Sequence, residues 1–259
     1  MRADALTDTA FDALPLLAHG ESKVVRDLGA GLVAIRFRPT VYSYTHHRAG
    51  EVPGTDGLRL RATRVLVGAL RARGIAHAYL DVGERFVIAR RVSPPPIEVI
   101  VKRRHVGTPR HRYRGMEHVP IRVGHPAAGG RIEVDAPYPT PWVRFDWRNP
   151  QRDPATGERL ADEVLPEPLA DCFIDVGAAR ATALAAFEVL SEFLDSRGIE
   201  LVDLCLFLTE DGRTVFGELG PDCARLRSRE GSLDKDVFRL GGSSERVLEK
   251  YEALCLAIE

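Results

Sequence analysis

A proline-rich segment, residues 109–168, divides this sequence of 259 residues into two parts with different patterns. Proline fixes φ and has no backbone N–H, and the residue before it is kept out of helical geometry. The segment is therefore expected to be extended or looping. Its prolines include Pro137, Pro139, Pro141, Pro150, Pro154, Pro166 and Pro168.

The part before this segment alternates short apolar runs with turns. Apolar spacing predicts a helix at Leu58–Arg73, which Gly74 ends. A turn at residues 28–31 joins the first two predicted strands, and a short helix is predicted within residues 1–19. The predicted strands are Ser22–Asp27, Leu32–Phe37, Ala76–Val82, Arg85–Val92 and Ile97–Arg103. This pattern favours a small, mostly antiparallel sheet with one helix.

The part after the segment mixes helices with a hairpin. Asp175 is placed to cap a long helix, and the turn at residues 210–212 joins two apolar strands. The predicted elements are Val176–Ser196, Ile199–Leu208, Arg213–Glu218 and Ser244–Ile258. We therefore predict an α+β fold with a strand-rich lobe at residues 1–95 and a larger lobe at residues 96–259. A ligand cleft is expected between them.

Composition narrows the class of protein. The chain is 44% hydrophobic and 28% charged with a formal net charge of −1, so a general nucleic-acid binder is not expected. No apolar run of membrane-span length and no secretory signal pattern is evident. The cysteines lack a CxxC pair and are expected to be reduced thiols of a cytoplasmic protein. They are Cys172, Cys205, Cys223 and Cys255.

The densest concentration of polar chemistry lies at Phe216–Arg239. Glu218 ends an apolar strand, Asp222 and Arg225 follow it, and an acidic and basic run covers Leu233–Arg239. Arginine binds phosphate through two donors, and aspartate accepts hydrogen bonds from ribose hydroxyls. The stretch therefore suits a phosphorylated, hydroxyl-bearing ligand. The alternative is a solvated charged loop.

Several separate blocks, in this order, resemble the SAICAR synthetase family of purine biosynthesis over roughly residues 15–255. The Pro-Asp-x-x-Arg and Asp-Lys-Asp-x-Phe-Arg blocks are the more specific ones. The blocks are Gly20–Val25, Pro96–Thr108, Arg152–Pro154, Val202–Leu204, Gly220–Arg225 and Asp234–Arg239.

The resemblance implies a two-lobed α+β fold related to ATP-dependent synthetases. Family members join 5-aminoimidazole-4-carboxylate ribotide to aspartate, with ATP hydrolysis and magnesium. The carboxylate is activated by phosphorylation, and the aspartate amine then displaces phosphate. The resemblance also implies a phosphorylated nucleotide as the ligand and a homo-oligomer as the assembly.

The resemblance implies substrate contacts around a basic turn. Lys102 stands where the family has an arginine, and Arg104 matches a second arginine. Gly107 and Thr108 match a Gly-Ser turn, whose hydroxyl and backbone N–H bind the ribotide phosphate. The alternative for each charged residue is a surface ion pair.

Further substrate contacts are implied later in the chain. Asp222 and Arg225 match residues that hold the ribose and phosphate. Lys235 and Arg239 match basic residues near the aspartate and phosphate sites. Asp153 matches the aspartate of a His-Asp-Pro loop, although the histidine is an arginine here.

The sequence departs from the family where ATP and the metal bind. A Lys-x-Lys run after the glycine reads Glu21-Ser22-Lys23, which leaves Lys23 as the candidate cation for ATP phosphates. In the strand at residues 203–207, Cys205 and Phe207 replace a lysine and a metal-binding glutamate. Phenylalanine cannot ligate magnesium. Glu218 fills the second metal acid position, and no metal site is predicted.

We therefore expect a diverged family member that keeps a site for a phosphoribosyl-imidazole or purine-related nucleotide. It would no longer run ATP- and magnesium-dependent ligation and would belong to nucleoside-antibiotic biosynthesis, for example in rearranging or expanding the ring of a ribotide. One alternative is a functional SAICAR synthetase that uses ATP and magnesium. A second is a non-catalytic nucleotide-binding protein.

The candidate catalytic residues are Cys205, Lys235, Asp203 and Glu218. A Cys205 thiol that faces a cation is expected to have a lowered pKa and to act as a nucleophile; Cys223 is a second candidate. The alternative for each is a small buried apolar side chain. Asp203 is expected to anchor a ribose hydroxyl or orient a lysine, or else to cap the hairpin.

Overall fold

The computed structural model describes residues 2–43, 48–107, 113–149, 151–157 and 160–259. These residues form two antiparallel sheets and a short hairpin, with helices packed against them. The α+β class predicted from the sequence is confirmed. Among the described residues, no helix has the length and apolar character that crossing a membrane requires.

The N-terminal sheet has the strand order β1-β2-β3-β7-β6, and a separate hairpin pairs β4 with β5. Its strands are β1 (Leu16–His19), β2 (Lys23–Gly29), β3 (Leu32–Phe37), β4 (Thr40–Ser43), β5 (Arg48–Glu51), β6 (Tyr79–Val82) and β7 (Val87–Arg90). Two helices accompany it, α1 (Asp8–Ala13) and α2 (Thr55–Ala72). The turn between β2 and β3 holds Ala30 at φ 51, between two glycines that also have positive φ.

The larger sheet has the order β10-β9-β8-β11-β13-β14, and β12 pairs with β11. Its strands are β8 (Ile97–Arg104), β9 (Pro137–Trp147), β10 (Glu163–Val164), β11 (Glu200–Leu208), β12 (Val215–Phe216), β13 (Ala224–Ser228) and β14 (Gly231–Ser232). The helices of this part are α3 (Glu167–Ala170), α4 (Val176–Asp195), α5 (Asp236–Arg239) and α6 (Ser244–Ile258).

A single apolar core connects the two sheets through α2 and α4. Burial of these side chains is the main favourable term in the stability of the fold. Members of this cluster include Ile35, Leu66, Val101, Leu190 and Leu204. Since β3, β8 and β11 all contribute to one core, the boundary predicted between residues 95 and 96 stays a prediction.

Several predicted elements are confirmed. The Asp175 side chain accepts a hydrogen bond from the backbone N–H of Ala178 at 2.8 Å and caps α4, as expected for an aspartate at this position. The hairpin of β11 and β12 and the final helix α6 are present. The strand pattern grouped Ile97–Arg103 with the N-terminal strands, and this grouping is wrong because β8 pairs with β9 and β11. The predicted lobe boundary had placed the same residues in the larger lobe.

The strand β9 contains prolines and was not predicted as a strand. It runs for eleven residues from Pro137 and pairs with β8, although the pattern predicted only an extended or looping segment. The partner on its other side, β10, pairs only with Asp146 and Trp147. The prolines therefore lie in the first half of β9, where one side of the strand is an open edge that needs no N–H donors.

Candidate functional site

One face of the larger sheet carries a row of charged side chains. Lys102 of β8 pairs directly with Asp203 of β11, and Asp203 pairs on its other side with Arg225 of β13. Directly opposed residues on neighbouring strands project to the same face. The register alone therefore places a carboxylate between two cations. The opposite face, with Val101 and Leu204, packs into the core.

The three side chains form a buried ion cluster. Lys102 Nζ is 2.6 Å and Arg225 Nη1 is 2.5 Å from the same Oδ2 of Asp203. Lys102 is 2% and Asp203 is 4% exposed. Burial opposes ionisation of Asp203, but Arg225 and Lys102 together hold its pKa well below the ordinary value. Burial also lowers the pKa of Lys102 to about 8, against the attraction of Asp203.

The row continues into α5. Arg225 Nε is 3.0 Å from Oδ2 of Asp236, and Arg239 Nη1 is 2.5 Å from the other oxygen of Asp236. Asp236 and Arg239 are three residues apart on one helical turn, which places their side chains side by side. We call Lys102, Asp203, Arg225, Asp236 and Arg239 the charged row. It contains more cations than carboxylates, as a phosphate site requires.

The predicted glycine turn lies against the charged row. Gly107 has φ +66, and a Cβ on it would be 2.7 Å from Cζ, Nη1 and Nη2 of Arg225. The backbone of residue 107 therefore contacts the guanidinium, which only glycine permits. Thr108, the predicted phosphate ligand beside it, lies outside the described residues.

Two predicted substrate residues lie apart from the row. Arg104 donates through Nε to Glu200 at 2.6 Å and through Nη1 to the carbonyl of Asp135 at 2.5 Å. The Asp153 side chain accepts from the backbone N–H groups of Ala155 and Thr156 and so stabilises its own loop. Their predicted contacts with substrate stay predictions.

A second buried ion cluster surrounds Glu218. Arg59 of α2 donates through Nε to Oε1 at 2.7 Å and through Nη2 to Oε2 at 2.8 Å, while Lys23 Nζ is 3.4 Å from Oε2. Arg59 is fully buried. Burial opposes ionisation, but Arg59 and Lys23 lower the pKa of Glu218 to about 2. Arg59 also lies 3.6 Å from Asp222, whose other oxygen accepts from the Tyr251 hydroxyl.

Arg59 was missed by the sequence analysis, although a signal for it exists. Arg59 and Thr63 are four residues apart on α2 and share the buried stripe that continues through Leu66 and Leu70. A fully charged residue on the buried stripe of a helix requires a buried partner. That partner, Glu218, is 159 positions away in the sequence, so the pattern alone does not identify it.

Lys235 lies between the two clusters. It is buried, and its Nζ is 4.9 Å from the centre of the Tyr42 ring. Burial lowers the pKa of Lys235, and the charge of Arg239 lowers it further. The carboxylates of Asp222 and Glu218 raise it. Lys235 therefore connects the charged row electrostatically with the Arg59–Glu218 pair.

The residues around Glu218 do not fit a magnesium ion. The Phe207 ring packs against Phe216 at an interplanar angle of 32°, with ring centres 5.8 Å apart, and the Arg148 guanidinium lies 4.6 Å from the centre of the Phe207 ring. A Cβ on Gly217 would be 2.7 Å from Cδ2 of Phe207. Magnesium requires hard oxygen ligands, but position 207 presents an aromatic ring and both oxygens of Glu218 accept from a guanidinium. Within the described residues, no group of three or more His, Cys, Asp or Glu side chains is arranged to hold a metal ion.

The lowered pKa expected for the cysteine thiols is wrong. Cys205 donates to Oε2 of Glu98 at 3.3 Å, and burial together with Glu98 raises its pKa well above the ordinary value. Burial and Glu218 raise the pKa of Cys223 to about 12. For both thiols, burial and a nearby carboxylate disfavour the thiolate, and for Cys223 they outweigh the opposing charge of Lys23. A role for Cys205 in turnover stays a prediction.

Comparison with known proteins agrees with this architecture. A phosphoribosylaminoimidazole-succinocarboxamide synthase of Methanocaldococcus jannaschii is 28% identical over 234 residues, which cover 86% of each chain. The bifunctional cordycepin biosynthesis cluster protein 3 of Cordyceps militaris is 28% identical over 290 residues, which cover 92% of this chain. The chain spans about a third of that protein's length, since the match covers 32% of it.

Solved structures share the fold. The phosphoribosylaminoimidazole-succinocarboxamide synthase of Ehrlichia chaffeensis superposes with a TM-score of 0.76 at 20% identity, covering 94% of this chain and 98% of the other. A SAICAR synthetase in complex with ADP gives 0.73 at 21% identity, covering 93% and 96%. The family model of SAICAR synthetase matches residues 16–254, and the chain therefore belongs to the SAICAR synthetase family.

Proposed function

We propose that this protein is an enzyme that acts on a phosphoribosyl-imidazole or purine-related nucleotide without ATP- and magnesium-dependent ligation. The observation that carries the proposal is the bidentate contact of Arg59 with Glu218, together with an aromatic ring at position 207. It replaces the oxygen ligands of a metal with a neutralised carboxylate and an aromatic ring. The charged row remains for the nucleotide.

The charged row supports the substrate half of the proposal. Lys102, Arg225 and Arg239 supply donors to a phosphate, and Arg225 lies against the backbone of the Gly107 turn. Asp203 holds Lys102 and Arg225 in place through one oxygen and offers a carboxylate to a ribose hydroxyl. This combination suits a ribose phosphate.

The Arg59–Glu218 pair supports the other half. A metal ion that took Glu218 as a ligand would have to displace Arg59 and leave its guanidinium buried without a partner. Breaking a buried ion pair in this way costs about 3–5 kcal/mol. Lys23, the cation predicted for ATP phosphates, is directed at the same carboxylate at 3.4 Å. The local charges therefore stabilise each other rather than a metal–triphosphate complex.

The biological setting we propose is nucleoside-antibiotic biosynthesis. One relative of this chain carries a name from a cordycepin biosynthesis cluster, and cordycepin is a nucleoside. A reaction that alters the ring of the base, such as rearrangement or expansion, is the class of chemistry we propose.

The first experiment mixes the purified protein with 5-aminoimidazole-4-carboxylate ribotide, aspartate, ATP and magnesium and follows the products by mass spectrometry. Calorimetry measures ribotide binding in parallel. We expect ribotide binding but neither ADP nor succinocarboxamide ribotide. Stoichiometric formation of both products would show that the ligase activity survives and would overturn the proposal. Binding without turnover of any related ribotide would favour a non-catalytic nucleotide-binding protein.

A further inference from the structure

Arg144 and Asp146 of β9 project from the same face of the sheet as the charged row. Arg144 pairs across the strands with Ile100, and Asp146 pairs with Glu98. Their side chains are 5% and 4% exposed, and Arg144 Nη2 donates to Asp146 Oδ2 at 2.6 Å. They therefore form a second buried ion pair on this face, next to the row.

The pair is incompletely satisfied. In the described part of the chain, Nε and Nη1 of Arg144 and Oδ1 of Asp146 are buried without a hydrogen-bond partner. Buried polar atoms without partners are rare and carry a free-energy penalty, which is larger for charged groups. The unused donors of Arg144 and the unused acceptor of Asp146 form a pattern that a group with both an acceptor and a donor would satisfy.

The position of the pair connects it with the proposed nucleotide. Burial is the main cause of the lowered pKa of Lys102, and Asp203 raises that pKa. The charge of Arg144 lowers it further, so Arg144 lies close to Lys102. Burial raises the pKa of Asp146, and the contact with Arg144 counteracts part of that rise. A nucleotide whose phosphoribosyl group is bound by the charged row would have its base within reach of this neighbouring pair.

We propose that Arg144 and Asp146 form a subsite for a base with an amide-like edge, in which Arg144 donates to a carbonyl oxygen and Asp146 accepts from an adjacent N–H. This inference rests on the proposed function and specifies its substrate class. A carboxamide or a ring lactam presents both groups. A carboxylate presents only acceptors, so it leaves Oδ1 of Asp146 without a partner and places two anions side by side.

Calorimetry with two ribotides tests this inference. The probes are 5-aminoimidazole-4-carboxamide ribotide and 5-aminoimidazole-4-carboxylate ribotide, which share the ribose phosphate and differ in the group at issue. We expect the wild-type protein to bind the carboxamide at least about tenfold more tightly, a difference of about 1.4 kcal/mol. Equal binding, or a preference for the carboxylate, would overturn the inference without any variant.

Two substitutions test whether the preference for the carboxamide depends on Arg144 and Asp146. Arg144→Met should weaken carboxamide binding by about tenfold or more, and Asp146→Leu should abolish the preference for the carboxamide. Arg73→Met is the matched control, because Arg73 is an exposed arginine that pairs with Glu192 on the surface. Circular dichroism checks folding, and Arg144→Lys, which keeps the charge, should recover part of the affinity.

Ribose 5-phosphate separates this inference from the proposed function. If the protein binds neither ribotide nor ribose 5-phosphate, the proposed nucleotide site itself is wrong. If it binds ribose 5-phosphate and both ribotides equally, and the substitutions at Arg144 and Asp146 change nothing, the nucleotide site stands and the base subsite is wrong.

Discussion

The charged row and the Arg59–Glu218 pair are both buried assemblies of cations and carboxylates, yet they leave different groups for a ligand. In the row, a single oxygen of Asp203 accepts from both Lys102 and Arg225. In the pair, both oxygens of Glu218 accept from one guanidinium. A shared carboxylate leaves donors on its cations, whereas a bidentate contact satisfies both partners. Under the proposed function, this difference would leave the charged row open to an anion and the Arg59–Glu218 pair closed to a metal cation.

The largest expected effect is the loss of stability when the Arg59–Glu218 pair is broken. Arg59→Met leaves Glu218 buried without its bidentate partner, and Lys23 and Lys235 do not replace those two hydrogen bonds. We expect the free energy of unfolding to fall by about 3–5 kcal/mol. Arg61→Met on the same helix is the control, since Arg61 pairs with Glu252 and Glu259 at the surface and should cost less than about 1 kcal/mol. Urea unfolding measures both. Similar losses for the two variants would contradict the comparison.

Low pH should reduce the stability of the protein through the same carboxylate, that of Glu218. In the folded protein the pKa of Glu218 is lowered from 4.5 to about 2. Burial alone would raise this pKa, but the charges of Arg59 and Lys23 outweigh the effect of burial. A carboxyl with a lowered folded pKa contributes stability that is present above its unfolded pKa and is lost as the pH falls towards the folded one. Since one pKa unit is 1.36 kcal/mol, the loss from this group below about pH 4.5 approaches about 3 kcal/mol.

Urea unfolding measured at several pH values between about pH 5 and pH 2 checks this loss, and Arg59→Met provides the reference. Without the guanidinium, the pKa of Glu218 is no longer held down, so the variant should lose less stability in acid than the wild type does. An equally steep loss in both proteins would show that other carboxylates dominate. Asp203, whose pKa is also lowered, would be the first of these to test.

The charged row should respond in ligand binding as well as in acid stability. Asp203→Asn removes the charge that holds Lys102 and Arg225, and we expect affinity for ribose 5-phosphate to fall by about 10-fold to 100-fold, since hydrogen bonds to charged groups contribute about 1.5–3 kcal/mol. Asp195→Asn is the control, because Asp195 is an exposed acid that lies 3.8 Å from Arg103. Unchanged affinity in the Asp203 variant would show that the row does not bind the phosphoribosyl group.

The smallest effect concerns the thiols. Burial and neighbouring carboxylates raise the pKa of Cys205 and of Cys223, so both should react slowly with iodoacetamide at neutral pH, whereas the exposed Cys172 should react first. Mass spectrometry of the modified peptides gives the order, and the urea-denatured protein is the control in which all should react. Rapid modification of folded Cys205 would restore it as a nucleophile. Unchanged turnover in Cys205→Ser would exclude a catalytic role.

The two regions also differ in how far the sequence predicted them. The resemblance placed Gly107 and Arg225 in one site, and they are in contact. Short-range signals succeeded as well, because the Asp175 cap and the helix it starts are encoded within a few residues. These features depend on local chemistry or on motifs whose order along the chain is informative.

What the sequence did not predict depends on contacts between distant positions. The partner of Arg59 became evident only from the packing of α2 against the end of β12. Arg144 and Asp146 lie in the segment that its prolines predicted to be extended or looping, so they received no role. The first half of β9 accommodates the prolines because, among the described residues, β10 pairs only with Asp146 and Trp147. The second half of the strand contains a buried ion pair that no local sequence pattern indicates.

The contact between Phe207 and Gly217 also constrains how this protein can evolve. Any side chain at position 217 would meet the phenyl ring at 2.7 Å and would have to adopt φ +97. An acid introduced at position 217 alone would be excluded by the ring, and an acid introduced at position 207 alone would face the guanidinium of Arg148 and a glycine. Positions 207 and 217 are therefore interdependent: a side chain at position 217 requires a smaller residue than phenylalanine at position 207, so substitutions at the two positions are expected to occur together.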